Sequence, residues 1–211
     1  RALPVPEESE PIAPAPATTP TPEPATAPNE SPAPETPESP EQRQLTYANV
    51  LFGRQLYDLA VPEYAKFLGL YPTSTERGTV NFYLGEAYRA LGRTAAARTS
   101  FQTVVNDFPE SELAGPASYG LAEIFFNAKD FESARPLFHR AAAKVKASAL
   151  ALSARYFEGR CLENLNRKDE ARDIYQQVSQ VANPHPYRDD ARLAGGPLFL
   201  AQARTRDAPP T

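Results

Sequence analysis

The sequence predicts an all-α fold: four helical hairpins stacked into a right-handed superhelical solenoid, closed by one capping helix and preceded by a proline-rich tail. Three observations predict it. Ala60, Ala97, Ala134 and Ala171 recur at an unbroken 37-residue interval, and a ring follows each four residues later (Tyr64, Phe101, Phe138, Tyr175). Twelve residues before each alanine stands a small residue (Ala48, Gly85, Ala122, Gly159), and nine before it a large apolar one (Leu51, Tyr88, Phe125, Leu162). Residues 1–42 hold 13 of the 23 prolines and no aromatic residue. Spacing kept through four copies without a slip marks a repeat array.

The front segment, residues 1–42, carries eight glutamates against Arg1. Such a stretch cannot bury enough apolar surface to offset its ordering entropy, which predicts disorder with polyproline-II character. It reads as a semi-rigid spacer; an SH3-type docking segment is the other reading. The folded part is expected over residues 43–206, in units of about 43–75, 76–112, 113–147 and 148–184, with a capping helix over 187–204. Within a unit the small and large residues lie three apart in the first helix and four apart in the second, so each pair shares a helix face. Close helix axes need a small side chain at the crossing and large ones beside it. Each unit therefore reads as an antiparallel hairpin that buries its faces by stacking on its neighbours.

The turns agree. Gly92-Arg93, Asn127-Ala128-Lys129-Asp130 and Asn166-Arg167-Lys168-Asp169 offer C-cap and N-cap chemistry. Pro62 and Pro136 share one repeat position, expected near the first turn of the second helix, where a missing N–H costs least. Gly196 falls 37 residues after Gly159, so residues 187–204 read as the first helix of an unfinished fifth unit. That helix is either a cap or the point where a longer protein is cut, and Gly195-Gly196-Pro197 is expected to weaken or kink it.

The best copy runs Tyr83-Leu84-Gly85-Glu86-Ala87-Tyr88, then Gly92, Ala97, Phe101 and Phe108-Pro109, with Pro72 closing the unit before it. It resembles the tetratricopeptide repeat. The resemblance implies a protein-binding scaffold whose first helices line a concave groove. It places partner contacts at Asn49, Phe52, Phe82, Glu86, Arg89, Tyr119, Glu123, Phe126, Asn127, Tyr156 and Arg160, with Leu45, Glu163 and Asn164 at related positions. Phe82, Tyr119 and Tyr156 form a ladder at one repeat position, and two readings of it stand. The rings either hold apolar side chains of an extended peptide or pack against the neighbouring unit. A carboxylate-clamp groove is disfavoured, since Leu45 stands where that subtype needs lysine.

The chain has no methionine and begins Arg1-Ala2-Leu3-Pro4, which predicts a front removed by processing or by truncation. A lost signal peptide or lipid anchor ahead of a proline stalk predicts an exported bacterial protein, periplasmic or outer-membrane-associated, with a membrane tether as one form of it. The repeats also resemble the domain of the Tol–Pal-associated cell-division coordinator, although the coiled coil preceding that domain is replaced here by the proline stalk.

Chemistry is sparse. Cys161 is the single cysteine and reads as a small buried hydrophobe. His139 and His185 have no companion at metal-ligand spacing, and neither a phosphate loop nor a nucleophile elbow occurs. The expectation is no enzyme, no cofactor, no metal and no small-molecule substrate. Charge is −7 in residues 1–42 and +3 in the rest, too weak and too scattered for a nucleic-acid stripe. A protein or peptide partner is expected. The alternative is a structural role, as one stretch of a longer or self-associating solenoid.

Overall fold

The computed structural model describes residues 38–144, 148–181 and 185–206, with side chains as far as residue 198. The expectation of disorder over the proline-rich front falls, apart from its last five residues, outside the described residues. Among those described there are nine helices and no strand: α1 (Pro40–Gly53), α2 (Tyr57–Leu70), α3 (Arg77–Ala90), α4 (Thr94–Asp107), α5 (Ala114–Asn127), α6 (Phe131–Lys144), α7 (Ala149–Asn164), α8 (Lys168–Ser179) and α9 (Tyr187–Arg206).

The first helix begins earlier than residue 43. Ser39 is the N-cap: its hydroxyl accepts from the Gln42 backbone N–H, and the Gln42 side chain accepts from the Ser39 N–H. Pro40 takes the first helical position, where its missing N–H is one of the orphans. The proline-rich composition continues three residues into the helix, which is why composition placed the boundary late.

All four hairpin turns are built alike. Gln55, Gly92, Lys129 and Asn166 have φ of 61°, 69°, 62° and 59°. In each turn the next residue's N–H returns to the carbonyl five back: Leu56 to Leu51, Arg93 to Tyr88, Asp130 to Phe125, and Arg167 to Leu162. This is the six-to-one bond of a Schellman turn, and only Gly92 adopts the left-handed residue without a Cβ penalty. N-cap chemistry is less regular than expected. Asp130 caps α6 through the Ser133 N–H, whereas Arg93 and Arg167 supply no side-chain bond. Pro62 and Pro136 are the sixth residues of α2 and α6, one turn further in than expected.

The core runs across unit boundaries. Val80, Leu84 and Ala87 of α3 pack with α1 and α2; Ala117 and Leu121 of α5 with α4; Ala154 and Cys161 of α7 with α6. Ala191 and Leu198 of α9 join α8 and α7 in the same way. Thus α9 covers the last hairpin, and its helix runs unbroken through Gly195-Gly196-Pro197. The second-helix rings Tyr64, Phe101, Phe138 and Tyr175 are wholly buried. Each ring of this size contributes roughly 1.5–3 kcal/mol by leaving water. Gly85 and Gly159 permit the closest approaches: a β-carbon there would lie 2.7 Å from Phe101 and 2.6 Å from Tyr175.

Candidate protein-binding face

The residues expected to form a groove lie on one row of helices, α1, α3, α5 and α7, but their environments divide them. The ladder rings each touch the buried ring of their own hairpin: Phe82 to Phe101 at 6.0 Å, Tyr119 to Phe138 at 5.5 Å, and Tyr156 to Tyr175 at 5.9 Å between centroids. Tyr156 is buried and stacks on Tyr187 of α9 at 4.9 Å; Phe82 and Tyr119 are half-buried. Packing against core and neighbour is therefore the main business of these rings, most fully at Tyr156.

Phe126 is likewise half-buried, among Phe131, Phe138 and Phe157. Phe52 sits among Tyr57, Tyr64 and Tyr83. The two contacts Phe52–Tyr83 (5.1 Å) and Phe126–Phe157 (5.4 Å) are equivalent, one repeat pair apart. At the alternate junctions the same register positions hold Arg89 and Glu163 in place of the phenylalanine, and Gly120 and Ala194 in place of Tyr83 and Phe157. The register therefore alternates between a pair of rings and a charge with a small residue. This two-unit rhythm was present in the sequence, yet it is invisible while each unit is compared only with the next.

The polar residues give this face its charge. Arg89 Nη2 lies 2.6 Å from Glu86, and its Nη1 lies 3.3 Å from Glu123 of the next unit. Burial raises the Glu123 carboxyl above its usual range, against the opposing pull of Arg89. Two units later the order reverses: Arg160 Nε lies 3.8 Å from Glu163, and Arg160 donates to the Tyr156 hydroxyl at 3.3 Å. Asn49 is exposed and accepts from the Tyr64 hydroxyl at 2.8 Å, while Tyr175 donates to Glu163 at 2.9 Å. Asn127 is exposed at the last residue of α5; Asn164 donates to the Arg160 carbonyl and ends α7. Leu45 is half-buried in the first hairpin's core.

Two openings lie beside these pairs. One of about 250 Å³ is lined by Phe52, Tyr57, Glu86, Arg89 and Ala90. Another of about 370 Å³ is lined by Tyr156, Arg160, Glu163, Asn164 and Ala194. Sequence reasoning missed Tyr57, Ala90 and Ala194, which come from a second helix, a helix end and the cap. A third, outer cleft of about 450 Å³ lies along the exposed side of α4, from Arg98 to Asp107, and is also lined by Phe125. Its lining holds neither a ring pair nor an ion pair among the described residues.

The tetratricopeptide repeat family model matches residues 45–112, 82–147 and 119–184. The chain belongs to the tetratricopeptide repeat family. No curated protein matches the sequence. Among solved structures, MamA is 19% identical with a TM-score of 0.62, over 77% of this chain and 82% of that one. YrrB, described as a tetratricopeptide repeat protein with an unusual peptide-binding site, is 21% identical with a TM-score of 0.60, over 76% of each. The kinesin-light-chain-like repeats of Podosopora anserina are 16% identical with a TM-score of 0.58, over 81% and 91%. At these identities the likeness concerns the fold. As tetratricopeptide units, the hairpins here follow a 37-residue register, against about 34 for the common repeat.

Proposed function

We propose that this tetratricopeptide protein is a non-enzymatic scaffold that binds an extended protein segment along the face of α1, α3, α5 and α7. The observation that carries the reading is the reversed pair of charges, Glu86–Arg89 and Arg160–Glu163, each beside a ring-lined opening on that one face. From either end of the face a bound segment meets the order acid, base, base, acid. That pattern marks two charged contact points, one on α3 and one on α7. Arg guanidinium groups and asparagine amides hold carboxylates and peptide groups, and the ring edges hold apolar side chains.

The setting proposed is the bacterial envelope, periplasmic or outer-membrane-associated. The proline- and glutamate-rich front, which suits a tether ahead of a folded head, supports it. Fractionation of the source cells checks it: recovery in the cytosolic fraction alone overturns that part of the reading.

Panning a random 15-residue peptide library against the full chain tests the binding face. Enriched peptides are expected to weaken about tenfold or more with Arg89→Glu and to be indifferent to Arg98→Glu in the outer cleft. Peptides that bind the Arg89→Glu, Arg160→Glu double variant undiminished would place the binding surface elsewhere.

A further inference from the structure

The first hairpin presents a helix-docking stripe that nothing among the described residues covers. The stripe is defined by register. In α3, α5, α7 and α9, residues at one 37-residue register, Val80, Ala117, Ala154 and Ala191, are buried against the preceding hairpin. Four residues on come Leu84, Leu121, Glu158 and Gly195, also buried, and three further come Ala87 and Cys161, buried, with Ile124 and Leu198, half-buried. Even the carboxylate at this register is accommodated, Glu158 meeting His139 of the preceding helix at 2.9 Å.

In α1 the same positions are Arg43, Tyr47 and Val50, followed by Arg54 in register with Leu91. Tyr47 is 54% exposed and Val50 46%. On the adjoining α2, Leu59 and Leu70 are 55% and 56% exposed. Their counterparts in the next two units are Ala96 and Ser133, Asp107 and Lys144. Exposed apolar side chains thus concentrate on the hairpin that has no neighbour in front of it among the described residues.

We propose that this face docks an amphipathic helix from another protein, bearing an apolar stripe flanked by carboxylates. Geometry sets the first part: wherever the register is filled, the preceding hairpin's second helix (α2, α4, α6 or α8) packs on it. A single helix with apolar residues at i, i+3 or i+4, and i+7 fits such a surface. Charge sets the second part. The exposed guanidinium groups of Arg43 and Arg54 form no ion pair among the described residues. They stand 11 residues apart, about 16 Å along the helix. The neighbouring acid Glu63 is already held by Gln44 at 2.7 Å and Lys66 at 3.9 Å. Charge also argues against a second copy, since two α1 helices paired in either direction set arginine against arginine.

Two synthetic 18-residue helical peptides test this, with a common leucine stripe and either two glutamates or two lysines 11 residues apart. Fluorescence anisotropy against the full chain is expected to show the glutamate peptide binding about tenfold tighter. Tyr47→Lys with Val50→Lys abolishes that binding, and Arg43→Glu with Arg54→Glu inverts the preference. These residues are exposed, so circular dichroism of the variants stays unchanged; Arg89→Glu leaves the peptide's affinity intact, which separates this face from the concave one. Equal or absent binding of both peptides, or glutamate-peptide binding that survives Tyr47→Lys with Val50→Lys, overturns the proposal. So does concentration-dependent self-association in sedimentation that Val50→Lys removes, since the face then belongs to a second copy.

Discussion

A β-carbon on Gly85 would lie 2.7 Å from the ring of Phe101, and the far side of that ring comes within 3.0 Å of the same point on Gly120. One ring is wedged between two units. Residues 35 apart in sequence are thereby fixed to a common spacer, and the repeat interval tolerates no slip there.

Gly85→Ala is therefore expected to destabilise although alanine is the better helix former. Displacing a wholly buried ring costs roughly 1–3 kcal/mol, more than the ~0.5–1 kcal/mol gained in helix propensity. Gly69 in α2 has nothing within 4 Å of its β-carbon position, so Gly69→Ala is expected to stabilise by about that smaller amount. Urea midpoints measured on both variants check the pair. Equal shifts of one sign would mean that the ring contact carries no energy.

Ser39→Ala is expected to lower stability by about 1 kcal/mol, through loss of the capping box that starts α1. Fraying of α1 exposes Ala48 and Leu51, both core residues. The comparison that decides is between chains beginning at residue 38 and at residue 43. The shorter one should melt several degrees lower, and coincident melting curves would show that the helix start is immaterial.

How far the sequence could be read differs by kind of signal. The alanine and ring positions were legible because the hairpin crossing imposes the same steric demand four times. The start of α1 was not, because Ser39-Pro40-Glu41-Gln42 satisfies both a proline-rich composition and a helix cap, and only local hydrogen bonding chooses between them. Glu86, Arg89 and Arg160 could be put on one row of helices from the register together with the tetratricopeptide resemblance. The burial of Tyr156 could not, since it depends on Tyr187 arriving from α9 across a junction of irregular length. The Glu123–Arg89 pair was hidden for a similar reason: it joins two units, whereas register compares positions within them.

Cys161 makes stability depend on alkaline pH. The thiol is fully buried, and desolvation, aided by the Glu158 carboxylate, pushes it up to about 12; Arg135 and Arg160 pull the other way. An unfolded cysteine loses its proton near pH 8.5. Above that value and up to about 12 the native chain holds one more proton than the unfolded chain. Stability from this group is thus intact below about pH 8 and falls by roughly 1.4 kcal/mol per pH unit above about pH 9. Cys161→Ala removes that slope, which urea unfolding at pH 8, 9 and 10 checks against the unaltered chain. Iodoacetamide at pH 8 is expected to label the thiol only on unfolding, and rapid labelling of the native chain would contradict the burial.

Tyr119 faces two ways, and its substitutions separate folding from binding. One side of the ring packs on Phe138 and Phe157; the other meets Glu123, whose charge joins burial in raising the phenol above its ordinary value. Tyr119→Ala removes half-buried contacts and is expected to cost roughly 2–3 kcal/mol, below the 3–5 typical of a fully buried ring. Tyr119→Phe keeps the packing and deletes the hydroxyl beside Glu123, so stability should change by less than about 1 kcal/mol while capture of a groove peptide weakens. Arg89→Ala serves as the reference for a surface charge: its pairs are half exposed, and their loss alters stability by less than about 1 kcal/mol. Unfolding midpoint and peptide affinity, measured on all three variants, give the answer together. If Tyr119→Phe and Arg89→Ala both leave affinity unchanged while Tyr119→Ala unfolds the array, the ring serves the fold alone and the groove has no contact there.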